Sequence, residues 1–131
     1  MKKSTLLNSA LSEVIARMGH GDMLVIGDAG LPIPDGPQRI DLAVCRGTPG
    51  MLAVLDAVLS EMQVESVMVA SELGDGNPAL LATLRQKTGP ATLEAVSHDA
   101  FKEVTAKAVA MVRTGECTPY ANIILRAGVV F

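Results

Sequence analysis

Apolar positions recur along this chain with two periods, and the switches between them outline its elements. Behind Asn8 or Ser9 as a cap, Leu11, Val14, Ile15 and Met18 fall on one face of a helix. Gly19 stands where a residue ending that helix belongs. Met23–Ile26 is an unbroken apolar run, long enough for one buried strand. Gly27–Gly36 is too rich in proline for a helix or an inner strand. Arg39–Val44 alternates, with Ile40, Leu42 and Val44 on one side, and reads as a half-exposed strand.

The same alternation of periods continues to the end of the chain. Thr48-Pro49 has the form of a cap followed by a first-turn proline, opening a helix through Leu52, Leu55, Val58, Leu59 and Met62. Ser66–Ala70 is a strand that runs out into Ser71-Glu72. Asn77-Pro78 starts a helix through Leu80, Leu81 and Leu84, which Gly89 stops. Thr92–Val96 is a strand, and Ser97 caps a short helix holding His98, Phe101, Lys102 and Val104. Val109–Arg113 is a further strand. Tyr120–Leu125 and Val129–Phe131 read as extended pieces around a turn at Ala127-Gly128. Strands alternating with helices of this length predict an α/β fold, a single domain with a mostly parallel central sheet flanked by helices.

Composition narrows the function classes. The chain has 131 residues, 49% apolar and 19% charged, enough for one packed domain. A net charge of -3 argues against nucleic acid or an anionic membrane as the main partner. One Tyr and two Phe are too few for a base-stacking platform. The mean hydropathy of +0.35 is high for a domain this small, so apolar surface should remain for contact between copies of the chain, and a homo-oligomer is expected. No apolar run reaches the ~18 residues of a membrane span. Asn8, Ser9, Ser12 and Glu13 interrupt any signal-peptide core behind Met1-Lys2-Lys3, so the expected location is cytoplasmic. Cys45 and Cys117 lack paired spacing and read as reduced thiols.

Phosphate loops and nucleophile elbows are absent, and Gly27-Asp28-Ala29-Gly30 opens into prolines instead of a helix. No two of His20, His98, Glu116 and Cys117 have metal-ligand spacing. The chemistry is left to side chains. His20 lies between two glycines just before the Met23–Ile26 strand, and Asp28 lies just after it, where open α/β sheets bind ligands. If the chain is extended at Tyr120, its phenol and the Asn122 carboxamide point the same way and suit a ligand with many hydroxyls. Plainer roles stand beside these: His20 satisfying a turn carbonyl, Asp28 closing an Asx-turn, Ser97-His98-Asp99 as an ordinary helix start, Tyr120 packing as a strand residue.

Three stretches together carry a resemblance: Met18-Gly19-His20-Gly21-Asp22, Asp28-Ala29-Gly30-Leu31-Pro32, and Thr114-Gly115-Glu116-Cys117-Thr118-Pro119-Tyr120-Ala121-Asn122. The sequence resembles the D-ribose pyranase family, sugar mutarotases encoded with high-affinity ribose transport systems. The likeness runs from Met1-Lys2-Lys3 to Val129-Val130-Phe131. It implies one sugar mutarotase domain over residues 1–131 that interconverts pyranose and furanose D-ribose without cofactor or metal. It also implies a decamer of two pentameric rings with sites between neighbouring subunits. Carried over by position, His20 resembles the catalytic acid, and Asp28, His98, Lys102, Tyr120, Ala121 and Asn122 resemble the sugar-binding residues. Fucose mutarotases share the Gly-His-Gly-Asp and Thr-Gly-Glu patterns, but Gly30-Leu31-Pro32 and His98 follow the ribose type. A non-catalytic sugar-binding accessory of a transport system is the remaining alternative.

Overall fold

A computed structural model describes all 131 residues. Asn8 accepts the Leu11 amide at 2.9 Å and starts helix α1, Ser9–Arg17. Leu11 and Val14 on its inner face are buried. The apolar run becomes strand β1, Met23–Gly27. Beyond the proline loop come β2 (Gln38–Asp41), α2 (Met51–Leu59), β3 (Val64–Ala70), α3 (Ser71–Gly76) and α4 (Pro78–Thr88). The chain closes with β4 (Thr92–Val96), α5 (His98–Thr105), β5 (Ala110–Arg113) and β6 (Ile123–Ala127). Asn77 and Ser97 cap α4 and α5 through the Leu80 and Ala100 amides, as their positions predicted.

The six strands form one sheet in the order β2-β5-β1-β6-β3-β4. Pairings β1–β5, β2–β5 and β3–β4 are parallel, while β6 runs antiparallel between β1 and β3. The sheet is therefore mostly parallel, as expected. Its inner strands alternate between two cores. Leu24, Ile26, Val67, Val69, Ile123 and Leu125 join Leu11, Val14, Leu55 and Leu84 on one face. Val25, Met111 and Ile124 join Phe101 of α5 and Leu31 of the proline loop on the other.

Met18 turns extended as the C-cap of α1 and Gly19 follows it directly, as its position predicted, while the positive φ falls on Gly21. Several other expectations are corrected. Strand β2 stops at Asp41, whose Oδ1 accepts the Ala43 amide at 3.0 Å and bends the chain outward. Val44 is consequently exposed. Thr48-Pro49 does not cap α2: the peptide is cis, the N-cap is Gly50, and the Met51 amide is taken at 3.1 Å by Glu116 from far along the chain. Met62 lies beyond the end of α2, although its side chain is buried. Ser71-Glu72 opens the short helix α3. The chain turns at Pro119–Tyr120, with Tyr120 at φ +59°, so that β6 begins only at Ile123, and 129–131 form no strand.

Gly115 is wedged against the loop before α2. Its amide donates to the Pro49 carbonyl, and its carbonyl accepts the Gly47 amide. A Cβ there would lie 2.5 Å from the Cys45 carbonyl oxygen and 2.6 Å from backbone atoms of Thr48. Backbone cannot rotate aside as a side chain can, so Gly115→Ala should cost about 1–3 kcal/mol and lower Tm. Gly76→Ala, where a Cβ meets nothing within 4 Å, should leave Tm nearly unchanged. Equal melting temperatures for the two variants would contradict the wedge.

Candidate active site

The carboxyl edge of the sheet gathers a carboxylate, an imidazole and a phenol. Asp28 follows β1 directly and is held twice by Asn122. The Asn122 Oδ1 accepts the Asp28 amide at 2.6 Å, and its Nδ2 donates to Asp28 Oδ2 at 3.1 Å. Asp28 Oδ1 accepts the Gly30 amide at 2.9 Å, so the Asx-turn is present alongside the clamp. Asn122 is fully buried, and Ala121 beside it is too, with its amide on the Thr118 carbonyl. Asn122 thus reaches the site through Asp28.

His98 is the first residue of α5, and Glu72 Oε2 accepts its backbone amide at 2.8 Å. The ring stacks on Phe101 at 6.3 Å and meets Tyr120 edge-on at 5.1 Å. Its Nδ1 is buried and has no hydrogen-bond partner. Asp28, Gly30, Leu31, Pro32, His98, Pro119 and Tyr120 line one cavity of about 300 Å³. Lys102, one helical turn along, does not line it. Its ammonium lies 3.0 Å from Asp99, and that hydrogen bond holds the Asp99 carboxyl below its ordinary value.

His20 lies at the other edge of the sheet. It occupies the turn Gly19–Asp22, in which the Asp22 amide bonds the Gly19 carbonyl and Gly21 takes φ +86°. Its Nε2 is 2.7 Å from Glu65 Oε2. The five residues of β1 alone separate it from Asp28 by roughly 16 Å. Within one chain, His20 and Asp28 share no cavity.

Sequence reasoning missed Thr114 and Glu116 as builders of the loop that presents Tyr120. Thr114 is buried, and its hydroxyl donates to the Gly27 carbonyl at 2.7 Å. Glu116 joins α2 to the loop through the Met51 amide and the Thr118 amide and hydroxyl. The available signal was the bare helix start at Met51, whose free amide needs an acceptor from elsewhere. No three His, Cys, Asp or Glu side chains converge as a metal-binding group.

A sheet edge that sets a fixed carboxylate, an imidazole and a phenol around a small cavity has the make-up of a binding site for a small polar molecule. The chain belongs to the RbsD / FucU transport protein family, whose pattern it matches over residues 1–130. It is 59% identical, over the full length of both chains, to a D-ribose pyranase of Symbiobacterium thermophilum. Its fold matches that of Bacillus subtilis RbsD complexed with D-ribose, with a TM-score of 0.96 and 44% identity over all of both chains. It also matches a fucose mutarotase of Streptococcus pneumoniae complexed with L-fucose, with a TM-score of 0.82 and 30% identity, again over all of both chains.

Burial pushes the Glu116 carboxyl up, but hydrogen bonds from the Thr118 hydroxyl and the Met51, Thr118 and Cys117 amides outweigh it. The net shift is downward from the ordinary 4.5. A carboxyl lowered in the folded state stabilises fully above its unfolded value, and that contribution is lost as pH falls through the folded value. Glu116→Gln should therefore lower Tm at pH 7, with the gap to the unsubstituted chain narrowing below about pH 4.5. A gap independent of pH would contradict this.

Proposed function

We propose that this protein is a sugar mutarotase that interconverts the pyranose and furanose forms of D-ribose by side-chain acid–base chemistry, as one domain over residues 1–131. The observation that carries the reading is the cavity shared by Asp28, His98 and Tyr120, which sets a carboxylate, an imidazole and a phenol around one small space. The full-length likeness to a D-ribose pyranase supports ribose over fucose, for which the matched mutarotase is only 30% identical.

Ring opening removes the proton of the anomeric hydroxyl and breaks the bond between C1 and the ring oxygen. The bonding pair goes to the ring oxygen, which takes a proton from an acid. The free aldehyde then turns, and a different hydroxyl closes on C1 with the proton transfers reversed. Water does this slowly, and positioned acid–base groups contribute about 10²–10⁴-fold. His20 is the acid toward the ring oxygen, since imidazole exchanges protons near neutrality. Asp28 accepts sugar hydroxyls and serves as base or orienting group. His98 and Tyr120 fix further hydroxyls, Asn122 holds Asp28, Ala121 shapes the loop beneath them, and Lys102, outside the cavity lining on α5, is the remaining proposed sugar contact.

Because His20 and Asp28 stand at opposite sheet edges, a complete site needs His20 from a second copy. A ring-shaped homo-oligomer supplies one, and we favour the decamer of two pentameric rings. Exposed Val44, Val129 and Val130 offer apolar surface for such contacts. No helix is long and apolar enough to cross a membrane. The free cysteines Cys45 and Cys117 suit a reducing cytoplasm, where we place the protein.

The test is complementation, read by NMR exchange between pyranose and furanose anomeric protons. His20→Ala and Asp28→Ala chains should each be inactive as pure oligomers. Co-assembled in equal amounts, random pairing restores about a quarter of the sites. Mixed oligomers without exchange activity would overturn the shared site. A fully active His20→Ala chain would remove His20 from the mechanism.

A further inference from the structure

We propose that Glu65 is the positioning residue for His20. Its carboxylate holds the Nε2 proton, so that Nδ1 is the nitrogen that gives and takes the sugar's proton. The inference rests on His20 being the acid, as proposed above. It begins from the 2.7 Å contact between His20 Nε2 and Glu65 Oε2, 45 residues apart in sequence. No other group of the chain hydrogen-bonds the ring.

The partners are fixed from beneath by two adjacent residues, one under each. Ala127 accepts the Gly21 amide at 2.9 Å and donates to the Asp22 carbonyl at 2.8 Å, which pins the His20 turn to the end of β6. Gly128 donates to the Gln63 carbonyl at 2.9 Å, just where the β3–β6 register shifts between Val64 and Ser66. That shift puts Glu65 at an irregularity, the kind of place where a side chain is re-aimed. Gly128 lies so close that a Cβ on it would be 3.1 Å from the Glu65 Cβ. The turn and the irregular strand are thus two ends of one small frame, and the side-chain contact closes it.

The chemical consequence follows from which nitrogen is engaged. A carboxylate accepts from Nε2–H in both charge states of the ring, which selects the Nε2–H form of neutral His20. The imidazolium then loses its Nδ1 proton to the ring oxygen, leaving the neutral ring already in the favoured tautomer. On closure, Nδ1 takes a proton back directly. One nitrogen serves both directions, and the ring need not move a proton between its own nitrogens during the cycle. Without Glu65 the two neutral tautomers compete, and a share of the molecules presents the wrong nitrogen.

The test combines kinetics with ring-nitrogen NMR on the assembled protein. Glu65→Gln and Glu65→Ala should lower kcat on the order of 10-fold, inside the ~10²–10⁴-fold that acid–base groups supply, with KM within about twofold. Glu65→Asp should recover part of the loss. In ¹⁵N-histidine spectra, neutral His20 should carry its proton on Nε2 in the unsubstituted chain and become a tautomer mixture in Glu65→Ala. Melting temperature and oligomer size, measured for each variant, serve as the control for folding and assembly. Full kcat in both Glu65→Gln and Glu65→Ala, or a proton on Nδ1 in the unsubstituted protein, would overturn the role of Glu65. So would a change confined to KM, which marks a sugar contact and not positioning. If His20→Ala is slow while both Glu65 variants run at full rate, only the present inference fails. If His20→Ala runs at full rate, the acid assignment beneath it fails instead.

Discussion

The buried carboxamide of Asn122 governs the working edge of this sheet. It grips both the amide and the carboxylate of Asp28, 94 residues away, at the point where β1 and β6 diverge. A buried amide left without partners costs about 1–3 kcal/mol, so the pair forms together or not at all. The grip settles two things at once. It fixes where Asp28 points, and it anchors the turn that carries Tyr120.

Strand β3 governs the two imidazoles in a parallel way. Glu65 near its start meets the His20 ring, and Glu72 just past its end accepts the His98 backbone amide. One strand therefore sets the position of a histidine at each edge of the sheet. The two edges lie a full strand apart, so one subunit does not bring His20 and Asp28 together. The proposed mechanism therefore calls for association between subunits, which would also cover apolar surface. This agrees with a hydropathy too high for so small a monomer and with the exposed valines that follow β6.

Elements built on periodicity and local caps were legible in the chain itself. The α1, α4 and α5 starts at Asn8, Asn77 and Ser97 needed only a side chain and an amide three residues on. The runs Met23–Ile26 and Ser66–Ala70 needed only their apolar pattern. Where a distant group intervened, local reading failed. Thr48-Pro49 has the form of a helix cap, yet Glu116 takes the α2 amide across 65 residues. Tyr120 belongs to a plausible strand, yet the turn anchored by Asn122 gives it a positive φ.

Residue identities and their order determined the fold class, the candidate groups His20, Asp28, His98 and Tyr120, and the family to which the chain belongs. These depend on local periodicity and on motifs contiguous in the chain. Only the tertiary structure decided which of those groups meet. It joined Asp28 to Asn122, His98 to Tyr120 and His20 to Glu65, and it set His20 apart from Asp28. Strand order and the antiparallel entry of β6 decide such meetings, and both arise from packing between segments far apart in sequence, which no local pattern encodes.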